Sequence, residues 1–583
     1  MLSPGIYITE EDRQEYVQNV VGSEGAFVGI FHWGPADEPV LVSTERQLVE
    51  TFGIPNDLNA QHFFSANDFL TYSNALYTVR GTYPNTNPFE TSGQSYSSTG
   101  AYNATSGSSM VLIKNDAHYE QIVSDLPGSV GPWVAKYPGT IGNSLKVVVC
   151  DGLASANQYQ SSSFYSGTSL KFSDLFDRPG TSPYAIVKGK TSAVDEVHVL
   201  VIDEDGLITG TANTVLESFP FLSKASDAKG TDGSTIYYKD LINKTSKWIW
   251  FGNKITAGTN WNTTVTVTST FTVLSAPVAN SLALGQDLST DHYDAAVNAG
   301  WTQFSDNEDI QFSVAISGSN PSNVATEILS IVESRRDCVA VFSPSLDCFL
   351  ATSADDILDN VLGYFNTTFN VNSTYAVLDA NWKYRYDKFN DVYRWTPCNP
   401  DVAGCIARVD ATNDQWWSPA GMQRGVLKNV IKLAWNPNKA QRDQLYLNRI
   451  NPIISKPGYG QLLFGDKTAT RRPGAFDNIG VRRLFILLER NISDYAQTGL
   501  FEFNDKFTQT RFRVQVENYL ETIKAGRGVL EYKVVCDSTN NTTQVVNARQ
   551  FIGDIYIRPN RAINFIRLNF IAVNSVVDFQ ISA

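Results

Sequence analysis

Helical and strand patterns alternate between residues 320 and 378, and this alternation constrains the fold more than any other feature. Asn320-Pro321 is typical of a helix start, and apolar residues then recur at helical spacing up to Val332. Short buried strands are predicted over Cys338–Phe342 and Tyr375–Leu378, with a second amphipathic helix between them that Ser353 is expected to cap. This order of elements is typical of a βαβ layer around a parallel sheet.

The length and composition predict several packed domains. At 583 residues the chain has room for about three to five of them. Apolar residues make up 42% of the chain before its 40 glycines are added, so it can bury real cores. The predicted fold class is α/β and α+β multidomain, with a mixed α/β core built from both chain ends.

A β-rich region is predicted between the two halves of this core. It follows a linker, Thr91–Gly107, in which eleven of seventeen residues are Ser, Thr or Gly. Residues 108–320 then have mostly strand-like patterns, and the clearest is Thr264–Leu274, where apolar residues alternate with threonines. We interpret this region as an outward-facing domain inserted into a discontinuous core.

Strand-like alternation also occurs near both chain ends, without a neighbouring partner for residues 1–20. The residues on one side of these strands are Ile6 and Ile8 near the N-terminus, and Ile566, Leu568, Phe570 and Ala572 near the C-terminus. A strand with no local partner must pair with a distant segment or with another chain.

No motif indicates catalysis or nucleotide binding. Walker A, the dinucleotide glycine fingerprint, Gly-x-Ser-x-Gly and His-Glu-x-x-His are all absent from the sequence. Asp203–Gly206 faintly resembles the start of a calcium loop, but no closing Glu follows, so a tight turn before a strand at Leu207–Thr209 is preferred. The six cysteines form no Cys-x-x-Cys and are expected to be free and buried. We therefore expect no catalytic site, no cofactor and no metal.

Charge is distributed unevenly along the chain. Residues 1–334 carry a net charge of −19, and residues 335–583 carry +6. The basic stretch Lys456–Arg490 supplies five candidate contact residues, namely Lys467, Arg471, Arg472, Arg482 and Arg483. Nucleic-acid binding is disfavoured because stacking aromatics are not interleaved with these cations. A surface for an acidic protein partner is preferred, and a merely solvated face remains an alternative.

Trp416-Trp417 beside Pro419 allows two interpretations. The pair could form a platform for a carbohydrate, or it could pack as a corner against the core. Adjacent residues of a strand point to opposite faces, so both rings cannot stack on one ligand. The packed corner is therefore preferred.

Eight short blocks, taken in order, carry a resemblance to a known family. They are Ser3–Ile8, Phe27–Ile30, Gly34–Val40, Phe52-Gly53, Ala135–Leu145, Val481–Leu484, Phe501–Asp505 and Cys536–Asn541. These blocks resemble those of the contractile phage tail sheath family, especially its T-even-type branch. The chain departs from the family pattern at Gly480, where Asn is usual, and at Phe503, where Pro is usual.

The resemblance implies a structural subunit that stacks as hexameric rings around a tail tube. It further implies terminal arms that add strands to the C-terminal domains of neighbouring subunits, and contraction from a trapped, higher-energy extended state. The implied partners are other copies of the chain, the tube protein, and baseplate and tail-terminator proteins, with no nucleic acid and no membrane insertion. The expected location is the virion tail, after assembly in the host cytoplasm.

The resulting layout divides the chain into six segments. They are an N-terminal arm (1–20), a first core segment (21–90), the linker (91–107), the inserted outer domain (108–320), a second, α/β core segment (321–480) and a C-terminal sheath domain with its arm (481–583). One alternative is the sheath of a phage-like bacteriocin or another injection system. An alternative of another class is a virion protein that binds or cleaves glycans.

Overall fold

The computed structural model describes residues 24–83, 91–94, 111–126, 130–165, 168–252, 265–306, 310–562 and 564. The strands found in these ranges are β1 (Gly25–Gly29), β2 (Pro39–Val42), β3 (Leu76–Arg80), β4 (Ser92–Gln94), β5 (Trp133–Pro138), β6 (Leu145–Asp151), β7 (Glu196–Asp203), β8 (Thr214–Ser223), β9 (Ile249–Phe251), β10 (Val278–Ser281), β11 (Val314–Ile316), β12 (Val339–Phe342), β13 (Ala376–Asp379), β14 (Trp382–Asp387), β15 (Val392–Pro397), β16 (Lys432–Leu433), β17 (Ile450–Asn451), β18 (Ile453–Lys456), β19 (Gly460–Leu463), β20 (Val529–Val535) and β21 (Asp554–Pro559).

The α-helices of the same ranges are α1 (Glu45–Phe52), α2 (Ala60–Leu70), α3 (Asp116–Ile122), α4 (Ala156–Ser161), α5 (Pro183–Val187), α6 (Tyr238–Thr245), α7 (Tyr293–Trp301), α8 (Ser322–Arg335), α9 (Ala354–Gly363), α10 (Asn399–Thr412), α11 (Lys439–Leu447), α12 (Ile479–Gln497), α13 (Lys506–Ala525) and α14 (Thr543–Asn547). None of these described helices combines the length and the apolar character needed to cross a bilayer.

A seven-stranded sheet of order β17-β13-β12-β11-β1-β3-β2 forms the centre of the fold. All neighbours pair in parallel except β2, which runs antiparallel to β3. Because β1 lies between β11 and β3, segments from both halves of the core interleave in one sheet. This confirms the predicted mixed α/β core.

Helices cover both faces of the central sheet. Ala26 and Val28 of β1 pack against α7, α8 and α9, whereas Phe27 packs on the opposite face against α1, α2 and α10. Strands buried on both faces are typical of parallel sheets. The predicted helix starts are also observed: Pro321 directly precedes α8, and the Ser353 hydroxyl caps α9 by accepting from the N–H groups of Asp355 and Asp356.

The chain leaves the core after β3 and builds two further sheets before it returns. One is four-stranded and antiparallel, of order β10-β6-β7-β8, and the other is three-stranded, of order β4-β5-β9. They share an apolar cluster of their own that includes Trp133, Val199 and Tyr238. Thr91 and Gln286 exchange two backbone hydrogen bonds of 3.2 and 3.1 Å, so the outgoing and returning connections lie side by side.

The predicted end of the insert at residue 320 is too late. The chain has already returned to the core at α7, whose Ala296 and Val297 pack on the central sheet, and β11 pairs with both β1 and β12. A strand of only three residues carries too little pattern to be assigned to the core sheet from sequence.

Two other expectations within the insert are corrected. Residues 92–94 of the predicted linker form β4, and most of that linker lies outside the described residues. The predicted strand at Thr264–Leu274 is wrong over the residues described there, because residues 265–274 form no ladder. The apolar side chains of this segment are buried although it is not a strand, since Val267 and Phe271 pack in a small apolar cluster with Ala225.

The Asp203 turn is wider than predicted, since Leu207–Thr209 belongs to the turn and β8 begins only at Thr214. The Asp203 carboxylate accepts hydrogen bonds from the backbone N–H groups of Gly206, Ile208 and Thr209 at 3.1, 3.1 and 2.8 Å. These hydrogen bonds hold the loop in place, which explains the acidic residue at the start of Asp203–Gly206 without a calcium ion. All six cysteines are free and buried, as predicted.

Candidate assembly surface

The C-terminal region of the described chain is a small unit of two long helices and a two-stranded sheet. β20 and β21 pair antiparallel, from Val529 opposite Pro559 to Val535 opposite Asp554, with a bulge next to Val529. One face of this sheet is covered, because Val529 and Val534 pack with Leu488 of α12 and Leu520 of α13.

Each strand of this small sheet has an edge that no described strand occupies. Such an edge presents a row of unpaired backbone N–H and C=O groups, and two strands alone are marginally stable. Large apolar side chains are also exposed there, with Leu530 47% and Tyr556 60% accessible. The sheet can therefore accept further strands, which makes it the candidate assembly site.

The predicted arm residues lie outside the described residues. These are Ile6 and Ile8 in the N-terminal segment, and Ile566, Leu568, Phe570 and Ala572 in the C-terminal one. The two strands that would pair with these arms, β20 and β21, are both among the described residues. The two-stranded sheet is therefore described, whereas its role as an acceptor and the strands that would occupy it stay predictions.

Two of the five basic contact candidates are buried, which corrects their prediction. The Arg483 guanidinium forms a two-pronged ion pair with Asp410 at 2.7 and 2.5 Å, so it ties α12 to α10. Burial raises the pKa of Asp410, and Arg483 opposes that rise. Arg482 packs its guanidinium over the rings of Tyr375 and Phe476, 4.4 and 4.8 Å from their centroids. Both arginines join the C-terminal helices to the core.

The other three candidates differ in accessibility. Arg471 and Arg472 are exposed, and the Arg471 side chain donates to Asn370 at 2.9 Å. Lys467 is half-buried, with its ammonium 3.8 Å from the centroid of the Tyr446 ring. Burial, followed by the nearby Arg449, lowers the pKa of Lys467. Arg471 and Arg472 therefore remain the better candidates for contact with an acidic partner.

A groove of about 1010 Å³ opens at one end of the two-stranded sheet. Arg527 lies just before β20, while Asn560 and Arg561 follow β21, so this end of the sheet forms one wall. Apolar lining comes from Trp417, Leu447 and Phe464, and the five cations of the groove are Arg424, Lys439, Arg442, Arg527 and Arg561. We call this feature the basic groove.

The two adjacent tryptophans have different surroundings: Trp416 packs against the C-terminal helices, and Trp417 lines the basic groove. The Trp416 indole N–H donates to the Gly526 carbonyl at 3.0 Å, and the ring packs beside α13 as the predicted corner. Trp417 has the Arg424 and Arg527 guanidinium groups 5.2 and 5.6 Å from its ring centroid. Sequence reasoning missed the basic groove because its cations are spread from residue 424 to residue 561, and only Trp416-Trp417 gave a local signal.

A buried polar cluster lies between α2, β14 and α10. The Lys383 ammonium is 3.0 Å from Asp68 and 2.7 Å from Asp401, with all three side chains inaccessible to solvent. Burial opposes the charge of Lys383, but Asp401 and Asp68 outweigh it, so its pKa is raised. Tyr72 donates to Asp401 at 2.8 Å and thereby links α2 to α10. These contacts join α2, β14 and α10, which gives the cluster a structural role.

The described residues contain no group of three or more His, Cys, Asp or Glu side chains arranged to hold a metal ion. The basic groove has no histidine, serine–histidine pair or thiol among its lining residues.

Three models of tail sheath families match this chain. They are the phage tail sheath protein central domain over residues 287–469, the N-terminal region of domain III of the tail sheath protein Gp18 over 26–80, and the phage tail sheath C-terminal domain over 472–572. Among solved structures, a sheath tail protein from Listeria innocua aligns with a TM-score of 0.49 at 11% identity, covering 92% of this chain and 94% of that one.

Two curated relatives match along nearly their whole length. The tail sheath protein of Vibrio phage KVP40 is 31% identical and is aligned over 99% of each chain. The tail sheath protein of Enterobacteria phage T4 is 32% identical, with 100% of this chain and 99% of that protein covered. This match over the full length places the chain in the tail sheath protein family, as a structural subunit of a contractile tail.

Proposed function

We propose that the chain polymerises as stacked hexameric rings around a tail tube and contracts to drive that tube through a host envelope. The observation that carries the proposal is the two-stranded β20–β21 sheet, whose edges no described strand occupies. Both relatives reported above are phage proteins, which favours genome delivery over a bacteriocin.

Strand exchange between subunits supplies the lattice connections. Added strands contribute backbone hydrogen bonds for strength, and their alternating side chains fix the register. Ile6 and Ile8 alternate suitably near the N-terminus, and Ile566, Leu568, Phe570 and Ala572 do so near the C-terminus. An arm of nineteen residues, 2–20, reaches at most about 60–70 Å when extended, which is enough to bridge neighbouring subunits.

Contraction requires no chemistry at a catalytic site in this proposal, and no cofactor takes part. The energy is stored in subunit packing during assembly and is released when the lattice rearranges. Ion pairs such as Arg483–Asp410 support this role, because they tie α12 to the core and let the subunit move as one body.

The two sides of the subunit face different partners. Arg471 and Arg472 face the tube and meet an acidic surface of the tube protein, and the half-buried Lys467 contributes less to this contact. The insert faces outward. It has an apolar cluster of its own, so its folding does not need contacts with neighbouring subunits, and the first 334 residues carry a net charge of −19, which suits a solvated surface. Baseplate and tail-terminator proteins bind the two ends of the sheath. Assembly takes place in the host cytoplasm, without nucleic acid and without membrane insertion.

Negative-stain imaging of the purified full chain tests the proposal. We expect striated hollow cylinders with a constant diameter, formed without nucleotide or metal. Protein that stays monomeric at high concentration, and that degrades or binds a glycan, would instead support the glycan-directed alternative.

A further inference from the structure

We propose that the basic groove binds the acidic stretch Glu10–Glu15 from the N-terminal segment of a neighbouring subunit. This inference rests on the proposed function, in which that segment leaves its own subunit to add a strand to another. It assigns a second attachment point to the arm, beyond the sheet edge.

The cations of the basic groove have no acidic partner among the residues that the structure describes. Within the described ranges, none of Arg424, Lys439, Arg442, Arg527 and Arg561 forms an ion pair. Three of them donate instead to backbone carbonyls, at Ser418, Pro437 and Gly474. Two carboxylates line the groove, and one of them, Asp466, already accepts from Asn478 at 2.7 Å. The groove therefore has an excess of positive charge and favours an acidic ligand.

The N-terminal segment has the complementary composition. Four carboxylates lie within six residues, at Glu10, Glu11, Asp12 and Glu15, with Arg13 as the only cation in the first 23 residues. Tyr16 and Val17 follow at once and match the apolar lining of Trp417, Leu447 and Phe464. Leu447 is 70% and Phe464 44% exposed, so these side chains are available for contact.

The position of the basic groove relative to the sheet edge fits the order of residues in the arm. β20 begins at the groove end of the sheet, so a strand added antiparallel to β20 runs toward the groove. If Ile6 and Ile8 lie in that strand, Glu10 follows two residues later, which is about 7 Å of extended chain. The acidic stretch then emerges where Arg527 and Arg561 flank the end of the sheet.

The C-terminal segment is a poorer ligand by charge. Residues 565–583 contain one cation, Arg567, and one acidic side chain, Asp578, so they offer no cluster of carboxylates. Asn564 at the groove wall donates to the Tyr446 hydroxyl at 2.8 Å, which shows that this end of the chain starts beside the groove. Occupation by residues 565–583 is therefore the competing outcome of the test.

Charge exchange in the full-length chain tests the inference. One variant reverses three exposed cations of the basic groove, Lys439→Glu, Arg527→Glu and Arg561→Glu, and a second reverses the arm, Glu10→Lys, Glu11→Lys and Asp12→Lys. A third variant combines both sets. A matched control reverses three exposed lysines of the insert, Lys190, Lys229 and Lys244, to Glu. Assembly is measured as the pelleted fraction at about 0.05–0.1 M salt, where exposed charge contacts are least screened.

We expect the groove-reversal variant and the arm-reversal variant each to lower the pelleted fraction about fivefold or more. The combined variant should restore the pelleted fraction to within about twofold of wild type. The insert control should assemble normally, and thermal unfolding should show that every variant is folded. No recovery in the combined variant would overturn the inference. Loss of assembly on groove reversal, together with normal assembly of the arm-reversal variant, would instead identify the C-terminal segment as the occupant. Cylinders that form without residues 1–20 would instead refute the arm exchange of the proposed function.

Discussion

Asp379 lies at the carboxyl end of β13 and is fully buried. Burial, with a smaller effect from the nearby Asp401 carboxylate, raises its pKa to about 8, although Ser343 and the Asn381 N–H donate to it. The folded state therefore holds a proton that the unfolded state releases near pH 4. Stability from this residue is present below pH 4 and is lost as the pH rises from about 4 to about 8, by at most about 1.4 kcal/mol per pH unit.

Asp379→Asn should remove this pH dependence, because an amide stays neutral throughout. The free energy of unfolding of wild type should fall relative to that of the variant as the pH rises from 5 to 8. Denaturant titration of both proteins at several pH values measures this difference. Groups that titrate in both proteins and do not interact with Asp379 cancel in the difference. Parallel curves for the two proteins would show that Asp379 is already ionised in the fold.

Gly480 is required where α12 meets the Trp416 corner. An added Cβ at Gly480 would lie 2.4 Å from the Trp416 carbonyl oxygen, which is far too close. Alanine normally stabilises a helix relative to glycine by about 0.5–1 kcal/mol, so the contact reverses the usual sign. We expect Gly480→Ala to lower the free energy of unfolding by about 1–3 kcal/mol, as typical of overpacking, in thermal or denaturant unfolding.

Gly363 provides the matched control, because it is an exposed helical glycine of α9 and an added Cβ there would have no atom within 4 Å. Gly363→Ala should leave stability unchanged or raise it by up to about 1 kcal/mol. Equal effects at the two positions would mean that helix propensity alone decides the outcome at Gly480. Asn478 caps α12 from two residues before Gly480.

Elements with a strong local pattern could be predicted from sequence. The stripe of α8 and the Ser353 cap of α9 were recognisable because burial and capping act within a few residues. The place of β11 in the core sheet could not be predicted, because its pairing with β1 joins segments almost 300 residues apart. The burial of Arg482 and Arg483 was missed for a similar reason: Asp410 and Tyr375 are distant in the chain.

At the scale of the whole subunit, Arg471 and Arg472 test the contact with the tube. Arg471→Glu with Arg472→Glu should weaken co-sedimentation of sheath subunits with tail tubes, because both side chains are exposed and would repel an acidic surface. The effect should be largest at low salt, since exposed charges are screened beyond about 10 Å at 0.1 M. Lys190→Glu with Lys229→Glu on the insert is the control. Unchanged binding to tubes at every salt concentration would exclude this pair from the contact.

The central claim is that terminal segments join the subunits by adding strands to the β20–β21 sheet. The most direct measurement is electron microscopy of the chain that lacks residues 1–20. The account predicts a folded, soluble monomer that forms no cylinders, because every described strand of the central sheet lies after residue 24. Cylinders that assemble without residues 1–20 and survive contraction would contradict the account, as would a truncated chain that fails to fold.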